Sequence, residues 1–423
     1  MNGWRNVRLK DLCTDAGQYG LNVSAENYMQ SGVRLLRTTD ISSGVLTPAE
    51  SGVFIDTALE ARFTLVSGDL LLSRSGTPPG QSYLVRPADA GMTFAGYLVR
   101  FRPRSNVDPR FLSYVARSAP FQGTIQAEAV ASTIQNFNAE RYSNMRFAAP
   151  DVAQQRRIAD YLDTETARMD RLGSQLQQFD RDVREREAAV LSSLLDAGAS
   201  SAGAALPEGW SWTPLMHLTD SLRQIMYGIV LPGPNVADGV PIVKGGDVAA
   251  NRLTREALNR TTHEIEAGYA RSRLKGGDLV IAIRGSVGEI AVVPDELTGT
   301  NLTQDAARIS IGATTNADWL RLVLQSPLVK HHIRQRVTGA TIKGINIWDL
   351  KRISVPTPRP GEQQELAREA TRIINTHEAL RSRVLRHQSL LAERRQTLIT
   401  AAVTGQFDVS TASGRNVTEG VSI

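Results

Sequence analysis

A chain of 423 residues has room for two to four domains, each with its own core. Its 41% hydrophobic and 22% charged residues describe a folded globular protein and exclude wholesale disorder, while one cysteine, Cys13, excludes an internal disulfide framework and a Cys-rich zinc site. The balance of 48 Lys+Arg against 43 Asp+Glu, +5, permits a polyanionic partner without requiring one. The opening Met1-Asn2-Gly3-Trp4-Arg5 lacks an apolar leader, and no long uncharged apolar run follows, so the expected address is the cytoplasm, with no membrane partner.

In chain order, residues 1–150 alternate short apolar runs such as Leu70-Leu71-Leu72 and Tyr97-Leu98-Val99 with Gly, Pro, Ser and Asp. That grammar predicts short strands with a helix over 109–115. After Pro150, Gly and Pro nearly vanish and charges rise, predicting a long helix over 151–197. Steps of four and three place Ile158, Leu162, Met169, Leu172, Leu176 and Phe179 on one coiled-coil seam, which breaks at Arg186. Residues 198–206, rich in Ala, Ser and Gly, predict a flexible linker.

The same grammar then recurs. Residues 207–358 again predict short strands, with a helix over 317–324, and 359–405 a second long helix. Its seam is Leu366, Ile373, Leu380, Val384, Leu391 and Leu398, breaking at Arg394. The remainder, 406–423, reads as a disordered tail. The recurrence is a tandem duplication. Thr133-Ile134-Gln135-Asn136-Phe137-Asn138 matches Thr341-Ile342-Lys343-Gly344-Ile345-Asn346, and Pro150 and Gln155 fall on Pro358 and Gln363, all 208 positions apart. Gly68-Asp69-Leu70 matches Gly277-Asp278-Leu279 at 209, and Asp40 matches Asp247 at 207. Residues 16–30 and 220–237 show no such match. Neither long helix can bury its stripe alone, so the economical expectation is an antiparallel pairing of the two.

The chemistry of an enzyme is hard to find. No phosphate-binding Gly-x-x-x-x-Gly-Lys-Ser/Thr loop occurs, and no Gly-rich turn points to a bound nucleotide. Thr77-Pro78-Pro79-Gly80 lacks both the amide or carboxylate and the aromatic of the amino-methyltransferase motif it superficially resembles. Six histidines include the neighbours His331 and His332, which would point apart on a helix, and His377 and His387 on the second seam, which read as packing residues. The repeated acids Asp40/Asp247 and Asp69/Asp278 read as turn caps, with a functional contact as the alternative. No catalytic, metal or cofactor-binding residue is expected in this chain.

What remains are three loop clusters at strand ends, equivalent between the halves. They are Arg37, Thr38 and Thr39 with Lys244; Arg74, Ser75 and Thr77 with Arg284 and Ser286; and Thr133, Gln135, Asn136 and Asn138 with Thr341, Lys343 and Asn346. Arg and Lys suit guanine edges and phosphates, and Gln and Asn suit adenine, although the same residues also build solvated turns. The framework repeats while the intervening segments differ, the pattern of two related readers of different targets.

Thr341-Ile342-Lys343-Gly344-Ile345-Asn346 leading into Val355-Pro356-Thr357-Pro358-Arg359-Pro360-Gly361-Glu362-Gln363-Gln364 resembles the end of a target recognition domain in type I restriction–modification specificity subunits. Leu206-Pro207-Glu208-Gly209-Trp210-Ser211-Trp212 resembles the opening of their second recognition domain. Half one departs from the pattern, with Asp151-Val152-Ala153-Gln154-Gln155 as its helix lead-in and Asn136 in place of Gly344. The resemblance implies an α+β chain of tandem duplicated mixed α/β DNA-recognition domains, each followed by a long helix, the two helices forming an antiparallel coiled coil. It also implies a non-catalytic subunit that reads a bipartite double-stranded DNA target and joins two methyltransferase subunits, to which two restriction subunits can be added. S-adenosylmethionine would then be held by the methyltransferase, and ATP and Mg by the restriction partner. The alternative of another class is a non-enzymatic coiled-coil interaction scaffold binding protein or glycan partners.

Overall fold

The computed structural model describes residues 3–42, 44–56, 59–75, 79–130, 136–249, 251–339 and 343–409. The chain divides into two units, Met1–Leu176 with Leu385–Ile423, and Gln177–Val384. Each therefore takes part of both long helices, Val152–Leu195 and Pro360–Val403.

In the first unit a four-stranded antiparallel sheet has the order Gln18–Tyr19, Leu98–Phe101, Leu70–Ser73, Ser82–Leu84. Beside it Val33–Leu36 pairs antiparallel with Val53–Ile55 and parallel with Thr93–Phe94. Arg5–Arg8 closes the unit against Arg146–Ala149, with Arg5 opposite Ala149. The central strand Leu70–Ser73 is buried on both faces, which is why its sequence is an uninterrupted apolar run. Leu70 and Leu72 join Val99, Phe101 and Phe111 in the main core, whereas Leu71 joins Leu36, Tyr83, Phe94 and Leu98 in a smaller one.

The second unit repeats these three sheets; the hairpin Ile41–Ser42 with Val45–Leu46 of the first has no counterpart among its described residues. Met226–Tyr227, Ala306–Ile309, Leu279–Ala282 and Ile290–Val292 form the antiparallel sheet. Asn259–Thr261, Val240–Val243 and Asn301–Leu302 form the mixed one, and Ser211–Pro214 closes on Ser354–Thr357. Residues 16–30 and 220–237, which carry no visible sequence match, are thereby brought into register, because Gln18 and Met226 lie opposite the equivalent Arg100 and Arg308. Trp212 donates its indole N–H to Ala204 O at 2.9 Å, which ties the expected flexible linker down at one point.

The repeated polar residues are the hydrogen-bonding framework. Gln155 accepts from Asp108 N at 3.0 Å and donates to Pro150 O, and Gln363 accepts from Asn316 N at 2.8 Å and donates to Pro358 O. Asp108 and Asn316 themselves cap the helices Pro109–Arg117 and Ala317–Leu324. One glutamine per half thus fastens the start of a long helix to the start of a core helix. Asp40 and Asp247 accept the backbone N–H of Arg37 and Lys244, and Asp69 and Asp278 those of Val66 and Lys275, all at 2.8–2.9 Å. The turn-cap role expected of these acids is the geometry observed.

Within each unit the helix segments run antiparallel. In the first, Tyr161 stacks near Phe407 and Asp170 pairs with Arg395 at 2.7 Å; in the second, Asp180 faces Arg381 at 3.4 Å and Glu187 faces His377 at 3.3 Å. Phe407 and Val409 pack on the first unit, so residues 406–409 of the expected tail are in contact with it; 410–423 lie outside the described residues.

The seam needs a correction. Leu172 and Phe179 are 42% and 45% exposed, and Arg186 and Arg394 are exposed as well. The inward row is instead Leu162, Thr166, Met169, Gly173, Leu176, Asp180, Val183 and Glu187 on one helix. On the other it is Ala370, Ile374, His377, Arg381, Val384, Gln388, Leu391, Arg395 and Leu398. Every second position is one residue later than an apolar count gives, and in the second unit Asp180 and Glu187 occupy it and face Arg381 and His377 across the seam. Ile158, Leu162 and Met169 remain core residues, as do Val384 and Leu398, and Leu176, Leu366, Ile373, Leu380 and Leu391 are half-buried. The fully buried Leu162 changed to Ala is expected to cost about 2–5 kcal/mol. Leu172→Ala is expected to stay within about 0.5 kcal/mol of wild type in the lone chain. Urea unfolding of the two variants checks the assignment, and equal losses would restore the apolar count.

Candidate nucleic-acid interface

In the first unit the strand Leu70–Ser73 delivers Arg74 to a corner made by three segments. Arg74 N donates to Tyr97 O at 2.9 Å, and Phe137 N donates to Arg74 O at 2.8 Å. The guanidinium lies 4.9 Å from the centre of the Tyr19 ring and donates to Asn136 Oδ1 at 3.3 Å and to Gly96 O at 3.4 Å. Arg74 and Asn136 are therefore one braced cluster with Tyr19, whose hydroxyl accepts from Ala139 N at 2.9 Å. Ser75 follows, half-buried. Asn138 caps the helix Ala139–Asn144 by accepting from Arg141 N at 2.8 Å, so its side chain has a structural task. Arg37 forms a pair with buried Asp40 at 2.9 Å, and Thr38 and Thr39 lie in the turn that this pair closes.

The second unit assembles the equivalent loops more openly. Arg284 bridges to Gly344, Gly285 N donates to Lys343 O at 3.2 Å, and Ser286 Oγ donates to Gly245 O at 3.4 Å beside Lys244. The three clusters predicted separately thus meet. Gly344 explains the departure from Asn136: a Cβ there would sit 3.2 Å from Ile283 O and from Arg284 Cγ. Without an asparagine to brace it, the Arg284 side chain is 48% exposed, with Asp305 Oδ1 4.0 Å away. Asn346, like Asn138, is a cap, accepting from Asp349 N at 2.8 Å. Thr77, Thr133, Gln135 and Thr341 lie outside the described residues.

Sequence reasoning missed the exposed aromatics around these loops. Tyr19 and Tyr227 occupy equivalent strand positions at 36% and 46% exposure, and Tyr97 and Trp348 are more exposed still. The Arg352 guanidinium lies 3.9 Å from the Trp348 ring centre. A signal existed for the tyrosines, since Tyr19-Gly20 and Tyr227-Gly228 recur 208 positions apart. Flat rings beside guanidinium groups suit stacking and phosphate contact together.

Among the described residues no group of three or more His, Cys, Asp or Glu could hold a metal ion. Burial pushes the Cys13 thiol up to about 12, which keeps it protonated at neutral pH. His332 is buried against Ser354 O at 3.3 Å, with Nε2 unpartnered, and burial holds its pKa below the ordinary value. The unfolded chain therefore binds the proton more readily, so stability falls as pH drops through about 6.5. The second unit is expected to lose stability between about pH 7 and 5, and His332→Gln to lose that slope. Urea midpoints across this range check it, and an unchanged slope in the variant would contradict it.

A family model described as the type I restriction modification DNA specificity domain matches residues 236–385. The EcoBI specificity subunit of Escherichia coli is 21% identical over 96% of this chain and 86% of its own length. The putative MjaX specificity subunit of Methanocaldococcus jannaschii is 21% identical over 96% and 94%. Among solved structures, a chain from work on complex assembly and conformational transition of the type I R-M system superposes with a TM-score of 0.75. It is 18% identical and covers 96% of this chain and 99% of its own. The HsdS subunit from Thermoanaerobacter tengcongensis gives 0.58 at 19% identity, over 96% and 98%. Residues 236–385 thus match a DNA specificity domain, and over nearly its whole length the chain is similar to type I restriction–modification specificity subunits.

Proposed function

We propose that this chain reads a bipartite double-stranded DNA target, one half-site per recognition unit, and positions methyltransferase subunits on that DNA. The observation that carries the reading is the contrast within the duplication. The caps and the sheet order repeat, while the loop clusters differ, with Arg74 braced by Asn136 and the exposed Arg284, beside Gly344, facing Asp305 at 4.0 Å. A shared scaffold with divergent reading loops suits two half-sites of different sequence.

On this reading two methyltransferase subunits and, in a restricting complex, two restriction subunits join the chain. S-adenosylmethionine belongs to the former, ATP and Mg to the latter, and the substrate is DNA in the cytoplasm. No helix among the described residues is long and apolar enough to cross a membrane. The long helices act as the spacer that fixes the gap between half-sites.

Competition binding with duplexes altered in one half-site tests the proposal. Arg284→Ala is expected to lose about 1–3 kcal/mol of discrimination at one half-site and none at the other. Equal loss at both, or binding indifferent to sequence in the wild type, would overturn it.

A further inference from the structure

The duplication supplies its own control for a second basic region, in the second unit. In half one, buried Arg100 donates to Arg62 O at 2.9 Å and to the carboxylate of Asp15 at 2.7 Å. Its equivalent Arg308, 2% exposed, donates to Arg271 O at 2.6 Å, Arg273 O at 3.0 Å and Gln224 O at 3.2 Å. The brace is the same, but the directly bonded carboxylate is gone. Cys13 bridges Pro103 as Thr219 bridges Ile311, while Gln18 is set on Met226, so the second unit has two extra residues between these points, and Arg223 lies in that longer turn where half one has Asp15. Among the described residues no carboxylate bonds Arg308, and its Nε has no partner; the Nε of Arg100 also lacks one, but that guanidinium has its carboxylate. Burial and the neighbouring Arg223 hold the Arg308 pKa down, and the nearby carboxylates Asp278 and Asp220 offset this only in part.

The second difference follows from the first. Asp69 is paired by Arg102 in half one, whereas residue 310, equivalent to Arg102, is a buried serine whose hydroxyl is unpartnered. Arg223 takes over the pairing, reaching both oxygens of Asp278 at 2.8 Å. Arg273 and Lys275 stand where half one has Thr64 and Val66. The result is a cavity of about 740 Å³ lined by Arg223, Arg271, Arg273, Lys275 and Arg308. Asp278 and Glu266 each neutralise one cation, and Asp220 is turned to the N–H groups of Leu222 and Arg223. The side chains of Arg271 and Lys275 have no partner among the described residues.

We propose that this cavity of the second unit is a phosphate-binding site, absent from the first because Asp15 fills the corresponding role there. An excess of guanidinium and ammonium groups around a buried arginine lacking a carboxylate is suited to an anion with several acceptor oxygens. The phosphate comes from the duplex backbone or from free phosphate, and the cavity deepens the DNA-reading proposal on which the first source rests. Contacts of this kind set register without reading bases.

The test uses the full chain and two variants. Arg271→Gln with Lys275→Gln removes unpartnered charges only. Arg223→Asp with Ser310→Arg rebuilds the charge layout of half one and keeps Asp278 paired. Duplex affinity is measured against salt, and melting is compared in inorganic phosphate and in chloride at equal ionic strength. A backbone contact predicts affinity lost alike for target and non-target duplexes in both variants, with the salt slope reduced by about 0.9 per lost contact. A free-phosphate site predicts an unchanged slope and a phosphate-dependent rise in melting temperature that both variants lose. Wild-type-like slopes and melting shifts in both variants would overturn the proposal. So would a loss confined to assembly with partner subunits, which would assign the cavity to an acidic protein segment. If the wild type binds no duplex, the DNA reading fails while the phosphate arm still tests the cavity.

Discussion

Lengthening both long helices by one heptad at facing positions, after Asp180 and before Arg381, is expected to abolish modification at the original gap. The two residues face each other at 3.4 Å, so insertions there keep the seam in register. A heptad adds about 10 Å of helix, close to three base pairs at about 3.4 Å each, with only about 20° of rotation. Two half-sites that can no longer be engaged together forfeit the gain of linked binding, on the order of 10²–10⁴ in affinity. Both half-site sequences should survive unchanged, since no reading loop is touched. Mapping modified bases in cells that carry the lengthened chain checks the gap. Retention of the original gap would contradict the spacer role, and an altered half-site sequence would contradict the division of labour.

The second large effect concerns stability. Asp69 is fully buried, accepts from Arg102 Nε at 2.7 Å and Nη2 at 2.8 Å, and accepts from Val66 N at 2.9 Å. Asp69→Ala strands a cation and a backbone N–H in one step. Breaking a buried pair from one side costs about 3–5 kcal/mol, and because Arg102 stays 30% exposed the lower end is expected. That is a large share of the roughly 5–15 kcal/mol that stabilises a typical domain. Asp278→Ala should act likewise on the second unit, through Arg223. Chemical unfolding of the single variants reads the loss, and a change under about 1 kcal/mol in either would return these acids to the candidate contacts.

Much of this architecture is legible in the sequence because the duplication marks which residues are framework. Asp40, Asp69 and Gln155 recur in half two because each satisfies backbone groups that any copy of the fold must satisfy. The seam was half legible. An apolar heptad count finds Leu162, Met169, Leu176 and Val183 but steps onto Leu172 and Phe179, since the true alternate row holds Thr166, Gly173, Asp180 and Glu187. Polar residues that pair across two helices leave no hydrophobic trace. The reading loops were legible as clusters, but not the brace of Arg74 by Asn136 against the more exposed Arg284, where a Cβ at Gly344 would make tight 3.2 Å contacts. The exchange of Asp15 for Arg223, in a turn two residues longer in the second unit, was hidden altogether, because only the two-residue strands and the bridges before them align those segments.

The central claim is that this chain supplies the sequence choice for DNA modification. The most direct measurement is to co-express it with the proposed methyltransferase partner and map modified bases across the host DNA. The account predicts a motif of two half-sites with a fixed gap that vanishes when this chain is omitted. With Arg284→Ala, one half-site should relax and the other hold. A modification pattern that is the same without the chain, or a single contiguous motif, would contradict it.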